Sequence, residues 1–225
     1  MHIADGILPA GISVAADALA IALVYAGGRN LESKEIPRMG IFAAALFIVS
    51  LIHFPLAGTS IHLGLYGFAG MLFGIRAIPI IFVNLLFQSL IFQHGGLVSI
   101  GINTLTMGSG ALLSAVIWQW VKIPRGAGGL NAEALPEDAS TIYSHGNHEK
   151  YINKNSLKHQ VKSFVCGFLG ILVPAVLISL IFILSDYGKG MIFMISIYFP
   201  AAVIEGVLTL FIYNFFMKAK PEIFK

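Results

Sequence analysis

The stretch Leu8–Gly27, LPAGISVAADALAIALVYAG, carries a single charged side chain, Asp17. It matches the roughly 20 apolar residues that a bilayer crossing requires. Six further apolar stretches follow at roughly 39–55, 61–75, 77–93, 98–121, 161–185 and 190–217. Across all 225 residues, 57% are hydrophobic and 11% charged, and the mean hydropathy is +0.84. Soluble domains hold about 25% charged residues, so the chain reads as an integral membrane protein. Inside hydrocarbon every backbone polar group must be satisfied internally, which makes the stretches helices. The expected fold is therefore all-α, with about seven transmembrane helices in a single polytopic domain over 1–225. The third stretch, short and glycine-rich, is expected to be tilted or buried inside the bundle.

Lysine and arginine orient the bundle. With seven spans and the N-terminus outside, every one of the 14 lysines and arginines except Lys189 falls on the inner side. The positive-inside rule then predicts an outer N-terminus and a cytoplasmic C-terminus. The surplus of cations is thereby assigned to inner loops rather than to nucleic-acid binding. The first cation after the amino terminus is Arg29, so no cleavable signal peptide is expected. The polar stretch at about 123–160 reads as a cytoplasmic loop. The lone Cys166 excludes an internal disulfide framework and multi-cysteine metal sites.

The start of the chain, Met1-His2-Ile3-Ala4-Asp5-Gly6-Ile7-Leu8, has chemistry of its own. A histidine in second place offers a metal its ring nitrogen, its backbone nitrogen and the terminal amine, in fused five- and six-membered chelate rings. Planar nitrogen ligation suits Ni(II) or Cu(II), and Co(II) is compatible with it. The grip requires an uncapped amine. A second residue as bulky as His2 blocks removal of the initiator methionine, so Met1 is expected to stay and supply it.

Under the predicted topology His2, His53, His62 and His94 lie near the outer surface, and His145, His148 and His159 in the cytoplasmic loop. The outer four are candidates to converge on one pocket. His62 lies in the hydroxyl-rich turn Gly58-Thr59-Ser60-Ile61-His62-Leu63-Gly64, where Thr59 and Ser60 can orient its ring by hydrogen bonds. A fourth nitrogen from His62 would complete a square; a solvated histidine at a helix end is the alternative. Asp17, Asn84, Gln88, Asn103 and Glu205 interrupt the apolar stretches, and such groups face the bundle interior or a cavity. Glu205 reads as a packing anchor or partner contact or, equally, as a carboxyl hydrogen-bonded or neutral inside the bundle, at mid-membrane and apart from the outer histidines. Ala18, Ala22 and Ala26 recur at helical spacing, marking a face for close helix packing, within the bundle or against a partner. No HExxH, GxSxG or Walker A pattern is present, so no enzymatic activity is expected. Any use of ATP would fall to a partner.

The opening motif, Gly58-Thr59-Ser60-Ile61-His62-Leu63, Gly95-Gly96-Leu97 with Gly101-Ile102-Asn103-Thr104-Leu105-Thr106-Met107-Gly108, and Ile204-Glu205-Gly206-Val207-Leu208-Thr209 together resemble the CbiM/NikM family. These are substrate-capture membrane components of energy-coupling-factor (ECF) transporters for cobalt and nickel. The resemblance spans nearly the whole chain except 123–160. It implies an N-terminal segment inserted into the outer face of the bundle. It also implies metal held by the Met1 amine, the backbone and ring nitrogens of His2 and the ring of His62, with Thr59, Ser60, His53, His94 and Asn103 as possible supports. The implied partners are a transmembrane coupling protein, ATPase subunits and a small accessory membrane protein, in the plasma (inner) membrane. The transported substrate would be Co(II) or Ni(II), serving cobalamin biosynthesis or nickel enzymes, with no organic cofactor. Ile61 and His53 depart from the commoner family pattern, which has glycine and asparagine there. A rival from another class is a secondary transporter driven by an ion gradient, with Asp17 and Glu205 as relay carboxylates.

Overall fold

The computed structural model describes residues 2–56, 59–120, 145–185, 192–219 and 221–224. Among them lie seven α-helices: α1 (Ala10–Gly28), α2 (Glu35–Ser50), α3 (Tyr66–Phe73), α4 (Ala77–Phe92), α5 (Ile100–Trp120), α6 (His145–Leu184) and α7 (Ile192–Ala219). Between α2 and α3 sits an antiparallel hairpin, β1 (His53–Leu56) paired with β2 (Thr59–His62), in which His53 stands opposite His62. Short 3-10 turns occupy Gly74–Arg76 and Pro221–Phe224.

Five helical segments are long and apolar enough to cross a membrane: Ala10–Gly28, Tyr66–Phe92, Ile100–Trp120, Leu157–Leu184 and Met194–Ala219. The expected seven is thus five by length among the described residues. At 16 residues α2 falls short, reaching about 24 Å against a hydrocarbon core of about 30 Å. The third and fourth apolar stretches form one 27-residue segment, broken where Gly74 takes φ +58. Large apolar side chains face outward along the helices, with Ile41 73% and Phe211 67% exposed. Soluble monomers rarely carry such a surface; here hydrocarbon covers it. The chain is a multi-pass membrane protein.

Two local expectations change. The second apolar stretch was expected to stay helical to residue 55, but α2 stops at Ser50 and the chain becomes a strand. Pro55 disfavours helical backbone at Phe54, and the extended pairing that results carries His62. The stretch expected as a loop over 123–160 is helical from His145 onward. From Asn147 to Gln160 it contains neither proline nor glycine, so nothing interrupts propagation into the apolar half of α6. The rest of the expected loop lies outside the described residues.

As anticipated for the short third stretch, α3 lies inside the bundle, with Tyr66 through Met71 buried. Glycines allow this. A Cβ on Gly67 would lie 2.0 Å from the Cys166 carbonyl oxygen on α6, and one on Gly70 would lie 1.9 Å from the Ala111 carbonyl oxygen on α5. Backbones therefore touch directly, as small residues permit between membrane helices. Gly70→Ala is expected to destabilise the fold by about 3 kcal/mol, the upper part of the overpacking range. A melting temperature in detergent equal to that of the parent would refute this close packing. The Ala18/Ala22 stripe, in contrast, points outward, and α1 buries Ser13, Ala16, Ala20 and Gly27 instead.

Candidate functional site

The N-terminal segment ahead of α1 lies against the start of α5, and hydrogen bonds explain its placement. The first N–H groups of any helix lack partners within it. For α5 they are met from outside: Ser99 N–H donates to Asp5 Oδ1 at 2.8 Å, and Gly101 N–H donates to Asp17 Oδ1 at 2.7 Å. Both carboxylates also oppose the positive end of the helix dipole. Ser99 Oγ donates to the Ala4 carbonyl at 3.1 Å. Asn103 takes both backbone groups of Ile3: the Ile3 N–H donates to its Oδ1 at 2.8 Å, and its Nδ2 donates to the Ile3 carbonyl at 2.9 Å. Ile3 is 0% exposed. Stripping buried backbone groups of their partners costs about 1–3 kcal/mol. Asn103→Ala is therefore expected to lower stability by about 2 kcal/mol and to speed hydrogen exchange at the Ile3 amide. Unaltered exchange there would contradict this tether.

Held this way, His2 meets β2. Its ring meets that of His62 edge to edge, with centroids 4.9 Å apart and planes 15° from parallel, and the two Nε2 atoms lie 3.0 Å apart. His94 joins from the turn after α4, its ring centroid 6.4 Å from that of His2. That turn is built from Gln93 at φ +54 and Gly95 at φ +79. A Cβ on Gly95 would lie 3.3 Å from the His2 Cβ, so the turn leaves room for the N-terminal segment.

The hydrogen bonds dictate tautomers. His62 Nδ1 lies 3.2 Å from the Leu63 carbonyl oxygen. A carbonyl only accepts, so Nδ1 carries the proton and His62 Nε2 presents a lone pair. His2 Nε2–H then donates to His62 Nε2, which leaves His2 Nδ1 as a second lone pair. That Nδ1 is buried, and among the described residues no donor reaches it at hydrogen-bonding distance. Burial holds the His2 ring well below the usual histidine range. The amino terminus, His62 and His94 add to the effect by disfavouring a further positive charge there, and the Gln88 amide opposes it. A neutral imidazole is the form that binds metals.

Of the residues expected at the site, His2, His62 and His94 come together, and Asn103 sits behind Ile3. Met1 and the side chains of His53, Thr59 and Ser60 lie outside the described residues. Among the described residues, no group of three or more His, Cys, Asp or Glu side chains is arranged to hold a metal ion. Asp5 and Gln88 had no role in the sequence reading. Asp5 lies within the opening motif, and Gln88 was noted only as a polar interruption of an apolar stretch.

A model of the CbiM family, described as the cobalt uptake substrate-specific transmembrane region, matches residues 2–223. The chain belongs to the CbiM family. Relatives agree: the cobalt transport protein CbiM of Clostridium tetani is 30% identical over 99% of this chain and 87% of its own. A Haemophilus influenzae protein named for metal transport is 35% identical over 53% of this chain. A fused protein of Methanocorpusculum labreanum, named CbiMQ, is 29% identical over 100% of this chain. The CbiM-family chain spans 58% of the Haemophilus protein and 36% of the fused one. A crystal structure described as a transition metal transporter superposes with a TM-score of 0.64 at 19% identity, covering 97% of this chain and 93% of that one. At that identity the likeness shows the fold. This CbiM-family member is a multi-pass membrane protein.

Proposed function

We propose that the chain is the substrate-capture component of an ECF-type importer for a divalent transition metal, with Co(II) as cargo and Ni(II) as its competitor. The observation that carries this is the His2–His62 pair, Nε2 to Nε2 at 3.0 Å, with His2 Nδ1 buried and, among the described residues, without a hydrogen-bond partner. Nδ1 is the atom that closes a six-membered chelate ring with the backbone nitrogen of the same residue. The Met1 amine would close the adjoining five-membered ring, and His62 Nε2 would complete four nitrogens. For His2 Nδ1 and His62 Nε2 to meet the same ion, the His2 ring would have to turn about its Cβ–Cγ bond, which breaks the imidazole–imidazole hydrogen bond and frees the His62 lone pair.

Four nitrogens in one plane favour Ni(II) by geometry. The relatives named for cobalt transport support Co(II). The cation distribution supports an outer N-terminus, so metal is taken from outside and released inward across the plasma (inner) membrane. The fused CbiMQ relative supports a membrane partner, which we assign as a coupling protein working with ATPase subunits. The secondary-transporter reading requires free relay carboxylates, and both candidates are engaged: Asp17 with Gly101 N–H, Glu205 with the backbone of Gly64 and Leu65.

The test is uptake of radioactive cobalt by cells expressing the chain with and without a coupling protein and ATPase pair. The proposal expects uptake only with the full set, abolished by a Walker A substitution in the ATPase. Uptake by the chain alone, lost in Glu205→Gln, would establish the rival.

A further inference from the structure

Glu205 lies in α7 and is 1% exposed, yet its carboxylate is not directed at another side chain. Gly64 N–H and Leu65 N–H both donate to Oε1, and Leu65 N–H also lies 3.1 Å from Oε2. Leu65 has φ +47, unusual for a non-glycine residue, and it begins α3 without a side-chain cap. The carboxylate replaces that cap from a distant helix.

The more consequential contact is with Gly64. Its N–H belongs to the same peptide unit as the Leu63 carbonyl, which accepts the Nδ1 proton of His62. Glu205 thus grips one end of a single peptide plane, and the His62 ring grips the other. Accepting from the N–H polarises that peptide and strengthens its carbonyl as an acceptor. Such an outer partner fixes the tautomer of an imidazole and raises the basicity of its far nitrogen.

We propose that Glu205 is the positioning residue for His62, acting through the Leu63–Gly64 peptide and tying α7 to the metal site. This rests on His62 being a ligand, as argued above. A carboxylate read as mid-membrane and apart from the site therefore reaches within two residues of its histidine. Displacement of α7 along its axis would loosen His62 Nε2 without touching the ion.

The test compares the parent protein, Glu205→Ala, Glu205→Gln and His62→Ala in Co(II) titrations followed by the ligand-field spectrum, with melting temperatures measured on the metal-free proteins. Removing an outer partner weakens metal binding about 10- to 100-fold, and this is expected for Glu205→Ala, with an altered spectrum. Glu205→Gln keeps an oxygen that accepts from both N–H groups and is expected within about threefold of the parent. If Glu205→Ala does not fold, Glu205→Asp, whose carboxylate is withdrawn by one methylene, takes its place with the same expectation of weakening. Parental affinity and spectrum in the alanine or aspartate variant overturns the proposal. So does a glutamine variant as weak as His62→Ala, because charge or packing would then explain the effect. Failure of the parent itself to bind Co(II) would instead overturn the function proposed above, and this role with it.

Discussion

Acetylation of the Met1 amine is expected to abolish tight binding of Co(II) and Ni(II) while leaving the fold intact. The amine is the one donor that exists only at a free chain start, and the cap converts it to an amide whose nitrogen has no basic lone pair. The five-membered chelate ring is then lost, and the His2 backbone nitrogen loses the neighbour that helps it deprotonate. Structural metal sites with four ligands are worth about 10–16 kcal/mol, or roughly 3–4 kcal/mol per donor. Two donors compromised together therefore imply a loss of roughly 10⁴- to 10⁶-fold. The fold is expected to survive because the segment is tethered downstream, through Asp5 to Ser99 and through Asn103 to Ile3. A flexible Gly-Ser extension should act like the acetyl group. An extension by a single residue would not discriminate, since histidine in third place builds a planar chelate of its own from the amine, two backbone nitrogens and the ring. Isothermal titration of acetylated and free protein reads the effect, and equal affinities would remove the terminal amine from the site.

His62→Ala is expected to have the second largest effect, weakening binding by roughly 10²- to 10³-fold, the worth of one donor at about 3–4 kcal/mol. The terminal chelate would keep three nitrogens and fill its fourth position with water, so residual binding should persist with a changed spectrum. His2 would also lose the acceptor of its Nε2–H. The control is His145→Ala, at the far end of α6, with parental affinity expected. A His62→Ala protein that binds as tightly as the parent would return His62 to an ordinary interface histidine.

Much of this arrangement was legible from residue types. Long apolar stretches located the helices because hydrocarbon leaves the backbone few alternatives. Span number was not legible, because composition cannot show that Gly74 breaks one segment or that Pro55 ends α2 early. His2 and His62 could be named from the donors they carry, but their contact across 60 positions comes from the hairpin. That hairpin is a local pairing, absent from any helical period. His94 was reachable as an outer histidine; its distance from His2 was not. Glu205 was visible as a costly intramembrane carboxylate. Its partners are backbone N–H groups, which leave no trace in side-chain identity, so its link to His62 could not be read. The same holds for Asp5 and Asp17, which act on the backbone of α5.

Four nitrogens, from Met1, His2 and His62, are proposed to surround the ion, and X-ray absorption on the Ni(II)-loaded protein with a free amino terminus reads their number and arrangement. A square-planar centre with four nitrogen neighbours and an imidazole scattering signature is expected. A six-coordinate centre dominated by oxygen would overturn the terminal chelate.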